Sequence, residues 1–152
     1  MDRFETLKTG IPVVDVSQGI DIDGSEALNL QVQTETLTVL NKARKLLDTP
    51  EKWTQYVDAS SREGKDVCVY AEAAACFSIA GAVLRASRNS AYTYRALAAI
   101  AAVLPTVYRD RGYYSGLMAF NDNPRTTHEM VIDVLGNAVA YVDSTRDRAI
   151  VI

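Results

Sequence analysis

The densest run of side chains able to do chemistry is Asn121-Asp122-Asn123, followed by Arg125-Thr126 and His128-Glu129. An arginine offers a planar fork of N–H donors that fits a carboxylate or phosphate. Thr126 also has the look of a helix start, where backbone N–H groups favour an anion. With Asp122 or Glu129 orienting the guanidinium, Asn121, Asp122, Arg125 and Glu129 become candidate ligand-binding residues for a small anion or a nucleotide. Each residue type has a local use as well. Asn-Asp-Asn-Pro is turn chemistry, Thr126-x-x-Glu129 has the form of a capping box, and Asp122 and Arg125 are spaced for a local ion pair. These local uses account for every residue without a ligand and are the favoured reading.

A second run, Tyr108-Arg109-Asp110-Arg111-Gly112-Tyr113-Tyr114, mixes guanidinium groups with phenol rings. Arg109, Arg111, Tyr113 and Tyr114 are candidate interaction residues, because Arg and Tyr dominate binding hot spots and also stack on bases. The plain alternative is an exposed connection between helices. Of the two active readings, protein contact is favoured over nucleic acid. The net charge is −3, and the one basic excess is six arginines between Arg85 and Arg125 set against Asp110 and Asp122. Nucleic-acid binding draws on clustered basic surface, so it is not expected.

Other chemistry is thinly supported. Two cysteines, Cys68 and Cys76, with the single His128 cannot complete a tetrahedral metal site alone. On one helix the cysteines would stand about 12 Å apart, beyond disulfide reach. They are expected to be buried reduced thiols in a cytoplasmic protein. No nucleophile elbow, phosphate-binding glycine loop or metalloprotease pair occurs. His128 is expected to pack at the edge of an apolar stripe, and Trp53 to anchor the core. No catalytic residue, metal site or cofactor is therefore expected.

The elements that must position these residues follow from patterning. At 152 residues the chain is sized for one domain with a self-sufficient core, and no apolar stretch is long enough to span a bilayer. Residues 1–33 hold six acids and two bases, net −4, whereas 34–152 hold thirteen acids and fourteen bases, net +1. The first 33 residues read as a partly extended arm with short strands. Ile11–Val16 is β-branched, Asp23-Gly24 signals a turn, and Leu28-Asn-Leu30-Gln-Val32-Gln alternates at period two. Residues 34–145 read as a helical domain and 146–152 as a tail. Helices are expected from Thr34 to about Leu47, over Glu51–Ala59, over Tyr70–Ser87, over Ala91–Leu104 and from Thr126 to about 143. The fold class is thus mainly α, a bundle of four or five helices. The small-residue face of Tyr70–Ser87, with Gly81 and Ala82 at its closest crossing, makes that the expected central helix.

Read together, Trp53-Thr-Gln55, Ala75-Cys76-x4-Gly81-Ala82 and Phe120-Asn121-Asp122 with Arg125-Thr126-x-x-Glu129 resemble a family of small bacterial and phage proteins known only as a domain of unknown function. The likeness spans about residues 37–142. Two positions depart from the family's pattern: Tyr56 stands where Gly often follows the Gln, and Phe120 stands where Trp is commoner. The resemblance implies a helical fold and brings no activity with it. An arm with too little core of its own must lie on something, its own bundle or a neighbouring copy. The expectation is therefore a non-catalytic interaction protein that self-associates through the arm or joins other protein subunits, a phage particle among the settings. The alternative is a small-ligand or nucleotide-binding protein, or a weak enzyme, built on Asn121, Asp122, Arg125 and Glu129.

Overall fold

A computed structural model describes residues 25–151. Residues 1–24, with the Ile11–Val16 run and the Asp23-Gly24 turn signal, lie outside the described part. The fold is mainly α, with six helices among the described residues: α1 (Ser25–Leu46), α2 (Ile79–Ser87), α3 (Thr93–Ala102), α4 (Thr106–Arg109), α5 (Tyr113–Asp122) and α6 (His128–Val151). Two short strands, β1 (Ala59–Ser60) and β2 (Cys76–Phe77), pair antiparallel with Ala59 opposite Phe77. They join the long connection between α1 and α2, so the strand content sits there and not in residues 25–33.

Those nine residues correct the extended reading of the arm. Leu28, Leu30 and Val32 belong to α1, which begins at Ser25 instead of Thr34. Leu28 and Val32 are also four residues apart, so a helix stacks them on one side as well as a strand would. Helix α1 then buries Leu37, Leu40 and Ala43, with Leu47 just past its end, against α6 and α2. Helix α6 answers with Val131, Leu135, Ala138 and Val142, all buried, and it continues to Val151 where a tail was expected. Between them lie Ile79 and Val83 of α2, Leu97 and Ile100 of α3, and Leu117 and Phe120 of α5. Burial of each such large apolar side chain contributes about 1.5–3 kcal/mol, which is why tertiary packing here outweighs local propensity.

The stretch before α2 departs most from expectation. The helix predicted over Tyr70–Ser87 exists only from Ile79. Residues 69–73 form turns, the Ala75 N–H bonds the Ser60 carbonyl at 2.9 Å, and Cys76-Phe77 is drawn out by pairing with Ala59-Ser60. Arg85 pins these turns, its guanidinium donating to the Val69 carbonyl at 2.7 Å and the Ala71 carbonyl at 3.0 Å. Ser78 caps α2 by accepting from the Gly81 N–H at 2.9 Å. Glu51–Ala59 likewise shrinks to a single 3₁₀ turn, Pro50–Lys52, after the Thr49-Pro50 entry. Cys68 is consequently exposed, contrary to the buried-thiol expectation. Cys76 is half-buried, its thiol donating to the Glu51 carbonyl at 3.2 Å.

Gly81 is at a close approach, though not to another helix. A Cβ there would overlap the Asp58 carbonyl oxygen and lie 2.8 Å from its carbon. The small residue admits the 53–60 loop, and α2 is a short helix held at its N-terminus. Gly116 does the same for α5: a Cβ would overlap the Tyr108 carbonyl oxygen. Helix α5 thus begins at Tyr113, inside the Tyr108–Tyr114 run that reads as a connection between helices. No helix among the described residues is long and apolar enough to cross a membrane.

Candidate functional site

Phe120 and Asn121 end α5 with both side chains buried, Asn121 completely. The Asn121 amide sits where three segments meet. Its Oδ1 accepts from the Trp53 indole N–H at 2.9 Å and from the backbone N–H of Ile79, the first residue of α2, at 3.0 Å. Its Nδ2 donates to the Thr54 carbonyl at 3.2 Å and to Asp122 Oδ1 at 2.8 Å. An Asn side chain can accept two hydrogen bonds and donate two, so this one is saturated.

Around it the bonding continues. Gln55 Nε2 donates to the carbonyls of Asn121 and Asn123, each at 3.0 Å. Asp122 Oδ1 also accepts from the Tyr56 N–H at 2.8 Å. Asn123 Nδ2 donates to the Tyr108 hydroxyl at 2.8 Å, and the Tyr108 ring meets Phe120 edge-on with centroids 5.5 Å apart. Trp53 packs half-buried on the core, beside Phe77. The residues that carry the family resemblance at both ends of the chain therefore bond one another: Trp53 and Gln55 to Asn121, and Asn121 to the start of α2. Tyr56, the position where relatives often have glycine, has a φ of +74°, in the left-handed region that glycine enters freely.

The other half of the polar run turns outward. Arg125 and Glu129 are exposed, and no ion pair joins Arg125 to Asp122. The backbone N–H of Arg125 donates to Asn123 Oδ1 at 2.9 Å, which is turn chemistry at the position expected for it. The expected capping box does not form, and the cap falls one residue later as a one-sided bond, since Met130 and not an acid stands three residues after Thr127. Thr126 is buried, with its hydroxyl donating to the Phe120 carbonyl at 2.7 Å, and Thr127 instead accepts from the Met130 N–H at 3.2 Å. His128 Nε2 lies 2.6 Å from the Leu47 carbonyl. A carbonyl oxygen only accepts, so His128 carries its proton on Nε2 and closes the C-terminal end of α1. Of the candidate ligand residues, Asn121 and Asp122 are thus joined to each other and to the 53–56 loop, while Arg125 and Glu129 stand apart in solvent.

The interaction candidates occupy another face. Arg111, Tyr113 and Tyr114 are exposed; so is Arg109, although its Nε donates to the Leu104 carbonyl at 2.6 Å. Tyr113 meets Tyr94 of α3 edge-on, with centroids 4.9 Å apart and planes at 88°. Burial first, and then the Asp58 carboxylate, push the Tyr114 hydroxyl above the ordinary tyrosine range. Sequence reasoning missed Tyr94, which carries no motif and joins this face only through the α3–α5 packing. Arg85, which bonds the Val69 and Ala71 carbonyls, carries no motif either and was missed as well. Among the described residues no group of three or more His, Cys, Asp or Glu side chains is placed to hold a metal ion.

No curated protein matches the chain, and no solved structure does. A family model does match, over residues 31–141, and it contains the whole Trp53–Gln55, Gly81-Ala82 and Asn121–Glu129 framework just described. The chain therefore belongs to the Family of unknown function (DUF6197).

Proposed function

We propose that this is a non-catalytic interaction protein, working in an assembly of its own copies or with other protein subunits. The observation that carries the reading is the exposed Tyr94–Tyr113 pair, 58% and 39% accessible, beside Arg109, Arg111 and Tyr114. Rigid phenol rings with neighbouring guanidinium groups offer large contact area at low conformational cost, the composition of protein contact surfaces. The hydrogen-bond saturation of Asn121 supports the non-catalytic part, since its side-chain donors and acceptors already serve protein groups. Such an assembly is cytoplasmic or, for a phage-encoded chain, part of the particle. Light scattering on the full chain tests this. A mass above one chain is expected, falling toward one chain in Arg111→Ala/Tyr113→Ala with the melting temperature kept. A parent protein that is monomeric at all concentrations and joins no other subunit sinks the reading.

A further inference from the structure

Charge is divided along this chain by region. Between Ala73 and Arg109 the sequence holds four arginines and no acid; between Thr126 and Thr145 it holds three acids and no lysine or arginine. Folding brings the two stretches to the two sides of one groove, about 210 Å³ in volume, between α1, α3 and α6. The α3 side presents Tyr94 and Arg95, and it continues through the Tyr94–Tyr113 ring contact to the exposed Arg111. The α6 side presents Tyr141, the last member of an exposed row at four-residue steps, Glu129, Asp133, Asn137 and Tyr141. Between them the groove is floored by aliphatic carbon, and Leu28, one turn before its Val32, is 58% exposed. Among the described residues, Arg95, Arg111, Glu129 and Asp133 make no ion pair within the chain.

We propose that this groove is the centre of a two-fold contact with a second copy of the chain. The contact rests on the self-association proposed above and gives it a geometry. In a two-fold dimer one patch meets itself, so each side of the groove faces the other side in the partner. A patch of a single sign would repel its own copy. This one joins Arg95, Arg109 and Arg111 on one side to Asp110, Glu129 and Asp133, three bases against three acids. Turned through the two-fold, the arginines of each protomer meet the α6 carboxylates of its partner, and the attraction occurs twice. An acidic peptide or a nucleic acid would be drawn to the α3 side and repelled by the α6 side, so charge selects the second copy. The apolar part fits the same occupant. Exposed rings and Leu28 lie inside a charged rim, the anatomy of a protein contact. A cavity of roughly 150 Å³ takes a benzene ring, so the groove has room for one ring from the partner.

Charge reversal on the full chain, read by sedimentation and light scattering, decides it. The parent is expected as a species of two chains and no more. Arg95→Glu/Arg111→Glu and, separately, Glu129→Arg/Asp133→Arg are each expected to raise the dissociation constant at least about tenfold, with the helical circular dichroism kept. Mixed in equal amounts, the two variants are expected to form a two-chain species again, because one contact is reversed in both signs and the other is native. A parent of one chain at all concentrations sinks the self-association reading and this contact with it. A two-chain parent that neither reversal loosens, or a mixture that stays dissociated, overturns this contact alone and leaves that reading standing. Species that grow past two chains with concentration overturn the two-fold geometry.

Discussion

Asn121 and Gln33 are both amides among packed helices, and they meet opposite fates. Asn121 has every donor and acceptor filled by the backbone and side chains of three segments, whereas Gln33 Oε1 is shut away from water with nothing to accept. The first lies inside the densest polar motif of the sequence, and the second lies in a stretch with no motif at all. A dense polar motif can therefore be an internal fastening. The surface with capacity to spare is found instead where Tyr94 and Tyr113 stand exposed beside Arg109 and Arg111. That separates what holds this fold together from what it has to offer.

The contrast is broken most directly at Asn121. In Asn121→Ala the Trp53 and Ile79 N–H groups and the Thr54 carbonyl lose their partner together, and each buried orphan costs about 1–3 kcal/mol. A loss of about 4 kcal/mol is expected from chemical denaturation, with Trp53 fluorescence shifted as the indole loses its bond. A loss under about 1 kcal/mol would put Asn121 on a par with any surface amide. Next in size is a gain. Tyr56 holds a left-handed φ of +74° while 65% exposed, so Tyr56→Gly keeps the bond to Asp122 and sheds strain. A stabilisation of about 1 kcal/mol is expected, offset in part by glycine's greater freedom when unfolded. A destabilised Tyr56→Gly would show that the ring itself packs to advantage. Smallest is Arg125→Ala, whose exposed side chain joins no ion pair, with stability expected within about 0.5 kcal/mol of the parent. If that variant instead abolishes binding of an anion or nucleotide with the fold intact, the polar run is a ligand site after all.

Much of the helical frame was legible because it depends on periodicity alone. The stripes Leu37-Leu40-Ala43-Leu47 and Val131-Leu135-Ala138-Val142, at three- and four-residue steps, are the buried ones. What misled was local propensity where tertiary pairing decides. Ala71 to Ala75 favours helix by composition, but pairing of Cys76-Phe77 with Ala59-Ser60 and the Arg85 bonds to Val69 and Ala71 hold it as turns. The start of helix α5 was hidden because Gly112, Gly116 and neighbouring tyrosines resemble loop composition, and the close pass of the Tyr108 carbonyl that Gly116 admits leaves no trace in the sequence. The polar run was visible as residues and not as a network. Trp53 and Asn121 are 68 positions apart, and such pairing leaves no periodic trace. The displaced cap had no signal either, since adjacent Thr126 and Thr127 look alike until the Phe120 carbonyl claims the first.

That span of 68 residues also has a duration. A ribosome adds about 5–20 residues per second, so Asn121 emerges roughly 3–14 s after Trp53. Through that interval the Trp53 indole lacks the Asn121 amide, and the first N–H of α2, made 42 residues before Asn121, waits for the same oxygen. The wait is longer still for α1, whose buried stripe packs on α6, the last helix of the described chain to be made. A nascent chain halted before α6 therefore leaves uncovered the part of the apolar α1 stripe that α6 packs on.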